Sequence, residues 1–337
     1  MAPRRGNRSM SSKEILDRGH EIASAVENEI AKVVFGGEIK PLVDVLITAL
    51  FAGEHVLTRA PIGLAKTLTC SALARAIGGV FRKLQFLPDM LPSDVVGFDM
   101  YNPKTQAFEV QHGPLFGANV LLADEINRTT PKAQAALLGP MESRYLTIRS
   151  RSYPMEPLFM VLGTRNPMEY EGVYDLPEAQ LDRFFAQPVI KEMSEATGLL
   201  MLGDKDYSRP AEDRLAKIQV VTSPEEVMAV HEAIFATIHV SERLDRYIWG
   251  LVAKTWKHNL VRYGSSPRGA RFLKMAATVS AFRAGREFAE PEDVRRYAVD
   301  VLAHRIFLKD ELRISKEEQD RSPADVIREV LDDVKPD

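Results

Sequence analysis

Two short apolar runs constrain this chain more than any other feature, because each stops abruptly in polar groups. His55-Val-Leu-Thr58 leads into Pro61-Ile-Gly-Leu-Ala-Lys-Thr67, and Val120-Leu-Leu-Ala123 leads into Asp124-Glu125. A four-residue apolar run bounded by turn residues reads as a buried strand. Strand, Gly-containing turn and helix in succession is the connection a parallel sheet requires. The polar groups of both runs then gather beyond the strand C-terminal ends, where open α/β sheets take ligands.

The first half of the chain repeats that alternation. Lys66–Ile77 reads as a helix, Phe81–Phe86 as a strand, Pro131–Leu138 as a helix, Leu158–Thr164 as a strand and Phe184–Ile190 as the last strand. Two helices precede them. One starts at Ser12 and carries Ile15, Ile22, Val26 and Ile30 at near-helical spacing; the second covers about Ile39–Ala52 after the Gly36-Gly37 break. Two segments interrupt the alternation and read as hairpins, Phe98–Val110 around Asn-Pro-Lys-Thr and Tyr145–Tyr153. They serve either as working loops or as edge decoration. Beyond the polar stretch Gly203–Pro210 the pattern is helical, and the last helix starts at Ser322 with Val326, Ile327, Val330, Leu331 and Val334 on one face. That helix either packs on its own domain or clips onto a neighbour. The expected fold is α/β, a parallel sheet with helices on both faces and hairpin inserts, followed by an all-α domain. The expected division is a disordered basic tail at 1–11, an α/β core at 12–192, a linker at 193–219 and a helical domain at 220–337.

Composition excludes several classes. A net charge of -3 gives no global case for binding nucleic acid, and a single cysteine, Cys70, excludes an intrachain disulfide and a multi-thiolate metal site. Cys70 reads as a small core residue. No apolar run approaches the ~18 residues that span a bilayer. The basic start lacks the apolar stretch of a secretory signal. The cytoplasm is the expected compartment.

The residues at the two strand ends form a chemical set. Lys66 at a helix N-terminus opposes the helix dipole unless an anion sits there. Thr67 beside it supplies a hydroxyl for Mg²⁺, Asp124 a carboxylate for the same ion, and Glu125 an acid to polarise water. A nucleoside triphosphate with Mg²⁺ needs this set. A third strand, ending in Leu162-Gly-Thr-Arg-Asn-Pro167, offers the Asn166 amide to hold that water. The generic phosphate-loop pattern fails at both of its glycines, where Ala60 and Ala65 stand, and leaves Gly63 as the residue free to take positive φ. A surface lysine after a plain strand-turn-helix is the alternative.

Lys66-Thr67, Asp124-Glu-Ile-Asn-Arg128, Asn166-Pro167 and Leu176-Pro-Glu-Ala-Gln-Leu-Asp-Arg-Phe184 together resemble the MoxR family of AAA+ ATPases. Leu87–Asp94, Gly113–Phe116 and Gly264–Arg268 extend the resemblance over nearly the whole chain. The resemblance implies a five-stranded core with a helical lid, ATP and Mg²⁺ as cofactors, and assembly as a homo-oligomer, usually a hexameric ring. It implies that Ile62, Gly63, Leu64, Ala65, Lys66, Thr67 and Leu68 hold the nucleotide. Asp124 and Glu125 become the Walker B acids and Asn166 the first sensor. Arg183 becomes an arginine finger reaching the neighbouring subunit's ATP, and Arg268 the second sensor. It implies a separate client protein, matured or remodelled at the expense of ATP, with a von Willebrand factor A domain partner common among relatives.

The chain departs from the family pattern in places. Ala60-Pro61-Ile62 replaces the usual Gly-Val-Pro, Arg165 replaces a glutamine before the sensor asparagine, and Gly139-Pro140 falls where a helix normally continues. Arg165 is expected to add charge near the terminal phosphate, and Pro140 to kink or end its helix. A nucleotide-gated scaffold with slow hydrolysis, a nucleic-acid motor built on the basic hairpin Arg149-Ser-Arg151, and a metal-chelatase motor subunit are the alternatives.

Overall fold

The structure, a computed structural model, describes residues 11–34, 36–59, 65–165, 174–190, 192–204, 209–309 and 321–336. The expectations for the tail, for Ala60-Pro61-Ile62, for Gly63 and Leu64, and for Asn166 lie outside those residues.

Helix α1 (Ser12–Ala31) opens on a capping box, with Ser11 and Glu14 satisfying each other's backbone N–H groups. Helix α2 (Lys40–Ala52) ends at Gly53, whose φ of 68° closes the last turn without a Cβ clash. Strand and helix then alternate through β1 (Val56–Arg59), α3 (Lys66–Ala76), β2 (Phe81–Gln85), α4 (Pro92–Val96), β3 (Gly97–Asn102), β4 (Ala107–His112), β5 (Val120–Asp124), α5 (Pro131–Ser143), β6 (Tyr145–Ile148), β7 (Arg151–Pro154) and β8 (Met160–Arg165). After α6 (Glu178–Leu181) come α7 (Glu195–Gly203), α8 (Ala211–Leu215), α9 (Pro224–Thr237), α10 (Glu242–Lys257), β9 (Val261–Tyr263), α11 (Pro267–Arg283), α12 (Pro291–Leu302), β10 (Phe307–Leu308) and α13 (Pro323–Asp333).

Strands β1, β8, β5 and β2 form one parallel sheet in that spatial order. The fifth position, next to β1, belongs to the Phe184–Ile190 segment. It joins by two isolated parallel bridges, Val56 to Ala186 and Arg59 to Val189. Pro188, between them, has no N–H to continue a ladder. The alternation of side chains along β5 divides the core. Val120 and Leu122 join a cluster with α1, α2 and α3, while Leu121 and Ala123 join one with α5 and the hairpins. Cys70 is fully buried in the first cluster, as expected for a small core residue.

Both inserted segments are hairpins, β3–β4 and β6–β7. Three features differ from the sequence reading. Helix α5 does not end at Pro140 but runs on to Ser143, because proline removes only its own N–H, and the Arg144 N–H still reaches the Pro140 carbonyl at 3.0 Å. The stretch read as a linker holds α7 and α8. The helical region contains a small antiparallel pair, β9 with β10. Helix α13 buries Val326, Ile327, Val330 and Leu331 against α10 and α12 of its own chain. No helix among the described residues is long and apolar enough to cross a membrane.

Candidate functional site

Parallel pairing aligns the ends of β1, β5 and β8, so their terminal residues open on one side of the sheet. A cleft of about 950 Å³ lies there. Its lining includes Ala65, Lys66, Thr67, Leu68, Asp124 and Glu125, so the described members of the phosphate set meet in one place. Lys66 begins α3, and Ala65 before it takes a left-handed φ of 47°. A positive φ on a non-glycine is strained, and such strain gathers at functional sites. Positive φ here therefore does not depend on glycine. Burial pulls the Lys66 ammonium below its usual pKa, while Asp124 and Glu125 oppose that shift by attraction. The two acids thus lie within electrostatic reach of the lysine.

Each acid is held from several sides. Asp124 Oδ1 accepts the Thr164 hydroxyl at 2.7 Å, and its Oδ2 is 3.1 Å from Lys83 Nζ. Glu125 takes φ 56°, with its own N–H donating to Thr164 Oγ1 at 2.9 Å. Gln85 Nε2 and Arg128 Nη1 both donate to Glu125 Oε2, at 2.8 and 2.9 Å. Lys83, Gln85, Thr164 and Arg128 were not singled out from sequence. Period-two alternation places Lys83 and Gln85 on one face of β2, and β2–β5 register sets Gln85 opposite Asp124. The alternation was readable, but the pairing that brings the strands together was not. Arg165, buried at the end of β8, is pushed down to about 10 by burial and then by Arg59, with Asp175 opposing, and it does not line the cleft.

The rest of the cleft lining mixes apolar residues, among them Ile39, Phe81, Met193, Met201, Leu215 and Val220, with charged ones, Glu38, Arg75, Glu212 and Arg214. Helix α7 reaches this lining and is held there by Glu38, which accepts from the Ser194 N–H at 3.1 Å and the Thr197 hydroxyl at 2.8 Å. A cleft with apolar side chains and a few convergent polar groups fits a base joined to phosphates.

Arg183 and Arg268 do not line this cleft. They line a second one, of about 560 Å³, with Glu54, His55, Glu142, Arg144 and Arg271, and the two clefts share no lining residue. The sequence left open an ion pair between Arg183 and its neighbour Asp182. Asp182 instead takes Arg305 Nε at 3.1 Å and the Ser266 hydroxyl at 2.8 Å, while Arg183 pairs with Glu142 at 3.1 Å. Arg268 sits in the first turn of α11, where its charge opposes the dipole. Its nearest anion is the same Glu142, at 2.6 Å, and Asp182 lies farther off, at 3.9 Å.

Comparison with known proteins agrees with this geometry. Residues 55–186 match the model of the ATPase family associated with various cellular activities (AAA), and residues 253–330 match the AAA lid domain. The chain is 36% identical to the uncharacterised protein YeaC of Bacillus subtilis, covering 94% of this chain and 95% of that one. It is 34% identical to Chaperone MoxR1 of Mycobacterium tuberculosis, over 83% of this chain and 74% of the relative. The crystal structure of a proposed ATPase from Cytophaga hutchinsonii superposes with a TM-score of 0.84 at 33% identity, covering 96% and 97% of the two chains.

Proposed function

The chain belongs to the MoxR family of AAA+ ATPases, and from that premise we propose that it binds and hydrolyses Mg-ATP as a ring of identical subunits and spends the cycle on remodelling a partner protein. The observation that carries the reading is the convergence of Lys66, Thr67, Asp124 and Glu125 on one cleft that also has apolar lining.

Lys66 and the amides at the start of α3 receive the phosphates. Thr67 and Asp124 offer hard oxygen donors on the same cleft, a set that fits Mg²⁺, which takes few protein ligands when phosphates supply the rest. When bound, the ion neutralises phosphate charge and orients the β- and γ-oxygens. Thr164 fixes the Asp124 carboxylate, and Gln85 with Arg128 fixes that of Glu125. Glu125 then orients and polarises the attacking water, with Asn166 as the second group we assign to that water. Arg183 and Arg268 sit together in a cleft of their own, which favours both acting on a nucleotide held by the next subunit. A heterologous interface of that kind builds a ring when its rotation closes. We assign 12–192 to the motor core, 193–219 to the connection and 220–337 to the lid; the two family matches, 55–186 and 253–330, fall inside the first and the last. A relative named as a chaperone supports a protein client, and a von Willebrand factor A domain protein is the partner we would seek first.

The test is Mg-ATP turnover of the wild type beside Glu125→Gln, with oligomer size measured in the same samples. Turnover in the wild type, with binding but no turnover in the variant, supports the motor. Binding without turnover in both overturns it in favour of a nucleotide-gated scaffold.

A further inference from the structure

Glu142, one residue before the end of α5, belongs to none of the motifs above, yet it holds both arginines of the second cleft. Its Oε1 lies 2.6 Å from Arg268 Nη2 and its Oε2 lies 3.1 Å from Arg183 Nη2. One carboxylate thus sits at the point where two guanidinium groups converge. Convergent planar forks around one oxyanion are the arrangement that suits phosphate.

The rest of the lining is too cationic for that carboxylate alone. Arg144 and Arg271 also line the cleft, and Glu54 is the other acid there. With Asp182, 3.9 Å from Arg268, and the Arg305 it also holds counted in, five guanidinium groups face three carboxylates and leave two positive charges. His55 adds none, because its Nδ1 accepts the Val161 N–H at 3.1 Å and its Nε2 faces the Met141 carbonyl at 3.2 Å. The backbone beneath Glu142 is fixed by that His55 contact and by Arg144, which donates to the carbonyls of Phe159 and Gly53. The Glu142 side chain is different: it is 48% exposed. The walls are held, and the anion between them faces solvent.

The geometry points to Glu142 as an internal placeholder for the terminal phosphate of a nucleotide bound by a second copy of this chain. In a lone subunit its carboxylate neutralises the Arg183–Arg268 pair. When a neighbour presents its triphosphate, the phosphate displaces the carboxylate and takes both arginines. No covalent bond forms or breaks in this exchange. Glu142 is a positioning residue, acting through the arginines, and the inference rests on the reading that both arginines work across a subunit interface.

Two measurements on the full chain test it. The first uses a Lys66→Ala background, which disables the chain's own phosphate site, and titrates pyrophosphate calorimetrically. Glu142→Gln keeps the size and removes the charge, so it should bind pyrophosphate about tenfold more tightly than the background. Adding Arg183→Ala and Arg268→Ala should erase that gain, and Glu142→Asp, which keeps the charge on a shorter arm, should fall between. Equal affinities with and without the Glu142 charge overturn the placeholder. The second follows assembly by sedimentation velocity against Mg-ATP with Lys66 intact. Glu142→Gln should assemble at about tenfold lower ATP, and Arg183→Ala should cancel the shift. Tighter pyrophosphate binding with an unmoved assembly midpoint overturns the neighbour's nucleotide as the source and leaves free polyphosphate. A wild type that neither assembles nor turns over ATP sinks the ring reading, while the pyrophosphate titration still decides the exchange.

Discussion

Five non-glycine residues among those described hold positive φ, and three of them, Ala65, Glu125 and Arg144, line one of the two clefts. Backbone in that region costs about 1–3 kcal/mol per residue and persists where the surroundings over-determine it. At Glu125 the surroundings are Thr164, Gln85 and Arg128. Gln85 and Arg128 both take Oε2, which leaves Oε1 for the water that the proposed reaction needs. Gln85→Leu should therefore lower kcat by about tenfold with KM nearly unchanged, as expected when an orienting contact is lost after the substrate is bound. Steady-state kinetics would show it, and a raised KM at constant kcat would refute it. A second residue-scale prediction concerns His55. Burial first, and the nearby Arg144 second, push its imidazole down to about 3. The unfolded chain has the higher pKa, so it takes the proton first, and stability falls as pH drops from about 6.5 toward 3. His304, lowered by burial and Arg305, acts in the same direction. His55→Gln should be less stable than wild type at pH 7.5 by about 1–3 kcal/mol. Because the variant lacks the protonation penalty, the gap should narrow by up to about 1.4 kcal/mol per pH unit below 6.5. Thermal melts at about pH 7.5, 6.5 and 5.5 would measure it, and a constant gap would count against it.

At the scale of elements, α13 makes the clearest prediction. Its apolar face is buried against α10 and α12, and an ion pair from Lys254 to Asp333 and a 3.3 Å contact of His258 Nε2 with Glu329 fix its direction. Ending the chain at Arg321 should expose that face, lower the melting temperature and raise binding of a hydrophobic dye. A truncated chain that melts like the wild type but fails to assemble would show instead that the helix serves a neighbour. The strands, the hairpins and the helices that flank them were legible in the sequence, because each declares itself through local period and punctuation. The cluster of Lys66, Thr67, Asp124 and Glu125 was legible because parallel strands must present their ends together. What was not legible came from pairing at long range. Asp182 passes over adjacent Arg183 for Arg305, far along the chain, because the turn after α6 aims the carboxylate at the 3₁₀ turn following α12. Glu142 gave no signal, since an acid near a helix C-terminus reads as solvated surface. Helix α7 was missed because Leu199, Leu200 and Leu202 face outward, which removes the amphipathic period. Pro140 misled in the other direction, because a proline so near the helix end sacrifices a single bond.

At the scale of the whole molecule, the separation of the two clefts has a consequence that only a mixture of chains can reveal. The phosphate-binding residues and the arginines line different clefts, with no lining residue in common. If a working site needs one cleft from each of two neighbours, a subunit damaged in one cleft still offers the other. Lys66→Ala should abolish the site on its own subunit yet leave Arg183 intact for a neighbour, and Arg183→Ala should do the reverse. Each variant alone should be nearly inactive. Mixed and allowed to exchange in equal amounts, about a quarter of the interfaces would join an intact phosphate site to an intact arginine, if the copies assort at random around a closed ring. Turnover in the mixture should rise well above that of either variant, toward about that fraction of the wild-type rate if sites fire independently. A ring whose sites are only partly dependent on one another would recover less than the fraction but more than zero. No recovery, in a mixture shown by sedimentation to contain assembled hybrids, would place Arg183 at the site of its own subunit, and the second cleft would then need another account.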